Sequence, residues 1–172
     1  MEQIKTLSKL IDLLVDKNKS EIDEIVSKIS IPISEFEKFT NWEEGYYTRN
    51  CIVRTDNFEL LLICWKPGQK TPIHCHNKQN CWMYIVSGEV TEHQYKFDKN
   101  EMPIKIKTSQ LESGKSFYIN DEIALHQLQN KTNSPCLSLH LYANPIDTCS
   151  YFDEESASYK DIKLRYTNEA IK

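Results

Sequence analysis

His74 and His76 stand two residues apart in the stretch Thr71-Pro-Ile-His-Cys-His76. In an extended strand, side chains at that spacing point the same way, so both imidazoles can reach one metal ion while Cys75 turns to the opposite face. A bare His-x-His occurs by chance, and its surroundings decide whether it carries chemistry. Three more histidines are available as partners: His93, His126 and His140. His126, in Leu125-His-Gln-Leu-Gln-Asn130, is the best third ligand, because two imidazoles need at least one further donor to hold a transition metal. His93 sits in the middle of an alternating run and is expected to face solvent or a neighbouring strand.

A second stretch has chemical content. In Leu137-Ser-Leu-His-Leu-Tyr142, period two puts Ser138, His140 and Tyr142 on one face and three leucines on the other. If the leucines pack one layer, the polar face lines a pocket in which serine, histidine and tyrosine can hydrogen-bond to one another. Tyr47 and Arg49 share a strand face in the same way. A buried arginine there needs an anion, and its planar fork suits a carboxylate best.

The elements that must position these groups follow from the pattern. Residues 1–17 place Ile4, Leu7, Leu10, Ile11, Leu14 and Val15 at helical spacing, and Ile22, Ile25, Val26 and Ile29 form a second amphipathic face. Ser34-x-x-Glu37 reads as a capping box opening a short helical turn. From Tyr46 onward the texture is that of short strands: 46–54, 58–65, the histidine strand, 81–86, 89–97, the stretch around Ile104 and Ile106, 116–119, 123–129, 136–143 and 161–167. Residues 144–159 read as a long loop. Short strands at such spacings, joined by turn residues, argue for an all-β sandwich or barrel. Residues 1–172 are expected to form a single domain, with 1–42 a helical buttress packed outside a β-barrel of 43–172.

With 172 residues the chain can build one sizeable core. Its net charge of −4, without basic residues interleaved with aromatics, argues against nucleic acid. No apolar run approaches a membrane span, and the first residues do not read as a signal peptide. The six cysteines contain no CxxC pair and are expected to be reduced thiols in the cytoplasm, with Cys51, Cys64 and Cys136 as small core residues.

The histidine stretch resembles the first motif of the cupin superfamily, G-x5-H-x-H-x4-E-x6-G. Gly68, His74, His76 and Gly88 keep every spacing, and Cys81 takes the glutamate position. His126 and Asn130 match the end of the second motif, although its proline is Asp121 and its second glycine Ile123. The resemblance implies a cupin jelly roll. A more specific resemblance is to the eukaryotic-type cysteine dioxygenases. It rests on Tyr47-Thr-Arg-Asn50, Ile63-Cys-Trp65, Ile73-His-x-His76 with Cys81, Tyr118-Ile-Asn-Asp121, Leu125-His126, Ser138-Leu-His-Leu-Tyr142 and Asp147-Thr-Cys149.

That resemblance implies Fe(2+) held by His74, His76 and His126, and conversion of L-cysteine and O2 to cysteine sulfinic acid. Three neutral imidazoles would leave the ion's full double charge for an anionic thiolate, unlike a two-histidine, one-carboxylate triad. It implies further that Arg49 clamps the substrate carboxylate with Tyr47 and the Tyr142 hydroxyl. His140 would steady that hydroxyl and Ser138 would stand behind it. Trp65 and Cys149 would lie near the pocket, and Cys81 would form a thioether with Tyr142. Related dioxygenases acting on 3-mercaptopropionate carry glutamine where this chain has Arg49, so an amino-acid substrate is expected of a monomer acting on small molecules. A non-catalytic cupin binding a small acid and a three-histidine zinc hydrolase are the competing readings.

Overall fold

The computed structural model describes residues 1–168. Leu7–Leu14 forms α1, opened by Thr6, whose side chain accepts from the Lys9 amide at 3.2 Å. Lys19–Val26 forms α2. Its start is a capping box between Asn18 and Glu21, in which each side chain accepts from the other's backbone N–H at 3.1 and 3.0 Å. The capping box expected at Ser34 is absent. Residues Ile33–Glu35 and Glu37–Phe39 are two isolated turns of 3-10 helix, and Ser34 lies inside the first rather than ahead of it, where no free helix amide faces its hydroxyl.

Eleven strands follow among the described residues. They are β1 (Thr48–Arg54), β2 (Phe58–Trp65), β3 (Ile73–His74), β4 (Asn80–Ser87), β5 (Glu89–Phe97), β6 (Pro103–Glu112), β7 (Ser116–Ile119), β8 (Leu125–Gln129), β9 (Cys136–Ala143), β10 (Thr148–Asp153) and β11 (Ser158–Lys163). They form a five-stranded sheet in the order β1-β2-β9-β4-β7 and a six-stranded sheet in the order β11-β10-β3-β8-β5-β6. This is the expected all-β, two-sheet architecture with helices outside. At Gly88 the chain passes from one sheet to the other. Its φ is +76°, and a Cβ there would stand 2.6 Å from Cys136 Cβ, so only glycine fits the turn.

The central strands of the first sheet are buried on both faces. Leu60 and Leu62 of β2, Trp82 and Tyr84 of β4, and Leu137, Leu139 and Leu141 of β9 face outward, where α1 and α2 cover them with Leu7, Leu10, Leu14, Ile22 and Ile25. Each such side chain contributes about 1.5–3 kcal/mol when removed from water. Trp82 Nε1 donates to Asp23 Oδ1 at 2.6 Å and fixes α2 against the sheet. The opposite, inward faces of the same strands carry Leu61, Ile63, Trp65, Cys81, Met83 and Tyr142, packed against Val90, Leu128 and Cys149 of the second sheet. The leucine layer on β9 thus frees its Ser-His-Tyr face for the interior.

Three expectations are corrected. Residues 144–159 are not one long loop, because β10 and the start of β11 lie there and β10 pairs with the histidine strand, Tyr151 opposite His74. The strand is hard to read because its buried residues, Cys149 and Phe152, are three apart rather than alternating. The histidine strand is only Ile73–His74, and the chain turns immediately after His76 through Asn77 and Lys78, both at positive φ. The last strand ends at Lys163 rather than reaching Thr167. Beyond it the chain runs along β1: the Thr167 amide donates to Arg49 O at 2.7 Å, and the Cys51 amide donates to Asn168 Oδ1 at 2.7 Å. No helix among the described residues is long and apolar enough to cross a membrane.

Candidate metal centre

β3 and β8 pair with His74 directly opposite His126, which brings two imidazoles together across one ladder position. His76 joins them from just past the end of β3. Ring centroids lie 4.6 Å apart for His74–His126 and His76–His126, and 5.5 Å for His74–His76. One nitrogen from each ring lies within 4.8 Å of the others. The three rings thus converge on one point, as the ligands of a single ion must.

The other side of each ring is held. His74 Nδ1 donates to the Pro72 carbonyl at 3.0 Å, and His126 Nδ1 to Glu92 Oε1 at 2.9 Å. Asp121 caps the turn after His76, accepting from the amides of His76 at 2.6 Å and Lys78 at 2.7 Å. Its Oδ1 stands 3.5 Å from His76 Nδ1, beyond a good hydrogen bond. A proton fixed on Nδ1 leaves the Nε2 lone pair to face the centre, the arrangement that metal-binding histidines require. Both ring nitrogens of His76 lack a hydrogen-bond partner although the residue is 1% exposed. Burial, and then the neighbouring His76, lower the His74 pKa to about 3; burial also holds His126 far below the ordinary value. A buried imidazole with no partner at either nitrogen, beside two whose charged form burial disfavours, is what a metal ion would satisfy, so the donor set fits one.

The centre opens on a cavity of about 90 Å³. A water needs roughly 10–15 Å³ on this measure, so the space suits a ligand of a few heavy atoms. Tyr47, Arg49, Trp65, His140, Tyr142 and Cys149 line it with the three histidines. Sequence reasoning named all of these, and the fold brings them to one place.

Arg49 reaches in from β1. Its Nε and Nη2 are buried and have no partner. Burial opposes its charge, but the phenols of Tyr142 and Tyr47 and the carboxylate of Glu59 outweigh that and raise its pKa. Tyr47, just ahead of β1, stacks on Trp65 with ring centroids 4.8 Å apart. Trp65 Nε1 donates to Ser138 Oγ at 2.9 Å, and Ser138 Oγ lies 2.8 Å from His140 Nε2. The indole N–H donates to the serine oxygen, which leaves the serine proton available for Nε2. Burial, reinforced by Arg49, lowers the His140 pKa to about 3.

His140 is therefore bonded to Ser138 and not to the Tyr142 hydroxyl. That hydroxyl instead meets Arg49 and the Cys81 thiol. Burial raises the pKa of both Tyr142 and Cys81. Cys75 packs against the cluster of Ile73, Tyr95, Leu125 and Phe152, away from the ligand face, while also edging the cavity. His93 is buried between Thr108, 2.8 Å from its Nδ1, and Lys131, 3.0 Å from its Nε2, and takes no part in the site.

Glu92 and Asp121 were not foreseen as supports of the ligands. Asp121 could have been noticed, since it stands where the cupin pattern has proline. Glu92 carried only the weak signal of an acid in an alternating strand, and its pairing with His126 depends on β5 lying beside β8.

The sequence profile of the family described as cysteine dioxygenase type I matches residues 2–155. Cysteine dioxygenase type 1 of Homo sapiens is 27% identical over 172 residues, spanning 94% of this chain and 86% of its own length. That of Danio rerio is 26% identical over 154 residues, spanning 87% and 77%. Among solved structures, a Klebsiella pneumoniae protein with a double-stranded beta-helix domain superposes with a TM-score of 0.54 at 16% identity, over 74% of this chain and 94% of its own. A Thermus thermophilus protein gives 0.53 at 18% identity, over 63% and 93%. These two share the fold. With three convergent imidazoles at its centre and a profile match over most of its length, the chain belongs to the cysteine dioxygenase type I family.

Proposed function

We propose that this protein oxidises L-cysteine with O2 to cysteine sulfinic acid, using Fe(2+) held by His74, His76 and His126. The observation that carries the reading is Arg49: a buried guanidinium with two unpartnered nitrogens, facing the cavity that the three imidazoles also face. A bound ferrous ion would supply coordination positions for thiolate and O2 and a path by which the electrons that the sulfur gives up reach O2. The rest is this chain's own work. Arg49 receives the carboxylate and fixes the amino acid at that end, so the sulfur is delivered to the histidine end. Tyr142 adds its hydroxyl beside the guanidinium, and Tyr47, stacked on Trp65, walls the arginine against movement. Burial keeps His140 neutral, and the Trp65–Ser138–His140 chain fixes its ring by Nε2. Both oxygen atoms end on one sulfur, which stops at the sulfinic stage.

Arg49 suits a carboxylate, which L-cysteine and 3-mercaptopropionate share; the choice of cysteine rests on arginine standing where related dioxygenases acting on 3-mercaptopropionate carry glutamine. The reading takes residues 1–172 as one cupin unit, supported by the core that the helices share with β2, β4 and β9. Six free thiols suit a reducing compartment, which supports reading the enzyme as cytoplasmic, and it is taken to act as a monomer. The test is metal analysis of the purified protein with oxygen uptake on L-cysteine and on 3-mercaptopropionate. Iron with uptake on cysteine supports the reading. Zinc without uptake favours a hydrolase, and no uptake after iron loading leaves a small-acid-binding protein.

A further inference from the structure

Glu59 is out of place by composition. It sits in β2, Phe-Glu-Leu-Leu-Leu-Ile-Cys-Trp, in which every residue is buried, and is itself 0% exposed. It points to the barrel interior, at the ladder position between Arg54 on β1 and Tyr142 on β9. A carboxylate without water needs donors. They come from three segments: the Tyr166 hydroxyl, the Ile146 amide at 3.3 Å, and Arg54 Nη1 at 3.5 Å. Arg54 also donates to the Tyr166 oxygen at 2.7 Å and to Asp147 at 3.0 Å.

Tyr166 belongs to the segment that runs along the outer edge of β1. There the Thr167 amide donates to Arg49 O at 2.7 Å, and the Arg49 amide donates to Thr167 Oγ1 at 3.1 Å. Both backbone groups of Arg49 are thus held by the residue next to Tyr166. Leu164, from the same segment, lines the cavity beside the guanidinium.

We propose that Tyr166 and Glu59 are positioning residues for Arg49: their part-buried hydrogen bond clamps residues 164–168 onto β1 and so sets where the guanidinium meets a substrate carboxylate. The inference rests on the reading of Arg49 as the carboxylate receptor. Neither residue touches substrate. Without the clamp the segment loses its hydrogen-bonded anchor inside the barrel, the Arg49 backbone loses fixed partners, and the guanidinium must be ordered again each time a carboxylate binds.

The test uses full-length, iron-loaded protein under nitrogen, titrated with L-cysteine and with 2-aminoethanethiol, which has the same thiol and amine but no carboxylate. Tyr166→Phe removes only the hydroxyl, and Glu59→Gln removes the charge and turns one acceptor oxygen into a donor. Each is expected to weaken cysteine binding about five- to tenfold, the effect of one hydrogen bond, while 2-aminoethanethiol binding and iron content stay as in the wild type. A merely structural role would lower the melting temperature and weaken both thiols alike, and that result overturns the inference. So does unchanged binding of both thiols in a folded variant. If the wild type itself shows no preference for the carboxylate-bearing thiol, the reading of Arg49 fails and the inference with it. A wild type with the preference and variants that keep it defeat the inference alone.

Discussion

Cys81 on β4 and Tyr142 on β9 stand directly opposite each other in an antiparallel ladder, and both are buried. Opposed side chains at such a position have Cβ atoms about 5 Å apart, close enough for a bond between Sγ and a ring carbon. Formation of that thioether removes one thiol hydrogen and one ring hydrogen, with O2 as the oxidant. After turnover with cysteine, the intact mass is expected to contain a species lighter by two hydrogens, absent from Cys81→Ser. A single unshifted mass after prolonged turnover would count against it.

Glu92 is expected to matter for metal retention although it lies outside the ligand set. It is buried, and burial raises its pKa, yet its Oε1 accepts from His126 Nδ1 at 2.9 Å. Glu92→Gln can present its amide wrongly to that N–H and loses the charge that makes the imidazole a better donor. Metal affinity is expected to fall about tenfold or more, measured by competition with a chelator. Unaltered affinity would mean that the fold alone fixes the His126 ring.

Replacing Arg49 by alanine should raise KM for L-cysteine by about ten- to a hundredfold, the range for a lost charge-assisted hydrogen bond. Metal content should not change, because none of the ligand rings is hydrogen-bonded to Arg49. Steady-state oxygen uptake with parallel iron analysis measures both. Unchanged KM would remove the carboxylate receptor from the account.

His140 gives an expectation for pH. Its pKa is lowered to about 3 in the folded state from an ordinary 6.5. Between those values the unfolded chain binds the proton and the folded one does not, so this residue costs stability as pH falls. Its full contribution is present above about pH 6.5. Urea midpoints at pH 7.5 and pH 5 should therefore differ more for wild type than for His140→Gln. Equal differences would show that His140 is not held neutral by burial.

Much of the site was legible because alternation alone sorts β9 into a leucine face and a Ser138-His140-Tyr142 face, and because His74 and His76 keep their spacing to Gly68 and Gly88. What the chain does not display locally was missed. The pairing of β10 with β3, the carboxylates of Glu92 and Asp121 behind the imidazoles, and the hold of Thr167 on Arg49 all join residues far apart in sequence. The cap of α2, Asn18, lies in the polar run 17–20, where no apolar periodicity marks it. The His140 partner was misassigned because Ser138, His140 and Tyr142 share one face, and a shared face does not tell which pair bonds.

The central claim is that one O2 molecule delivers both its atoms to the sulfur of cysteine at the His74–His76–His126 centre. Turnover of iron-loaded protein with cysteine under 18O2, followed by mass analysis of the product, tests it most directly. The account predicts cysteine sulfinic acid carrying two heavy oxygens, and no product from a His126→Ala variant. Cystine as the sole product, or sulfinic acid with an oxygen from water, would contradict it.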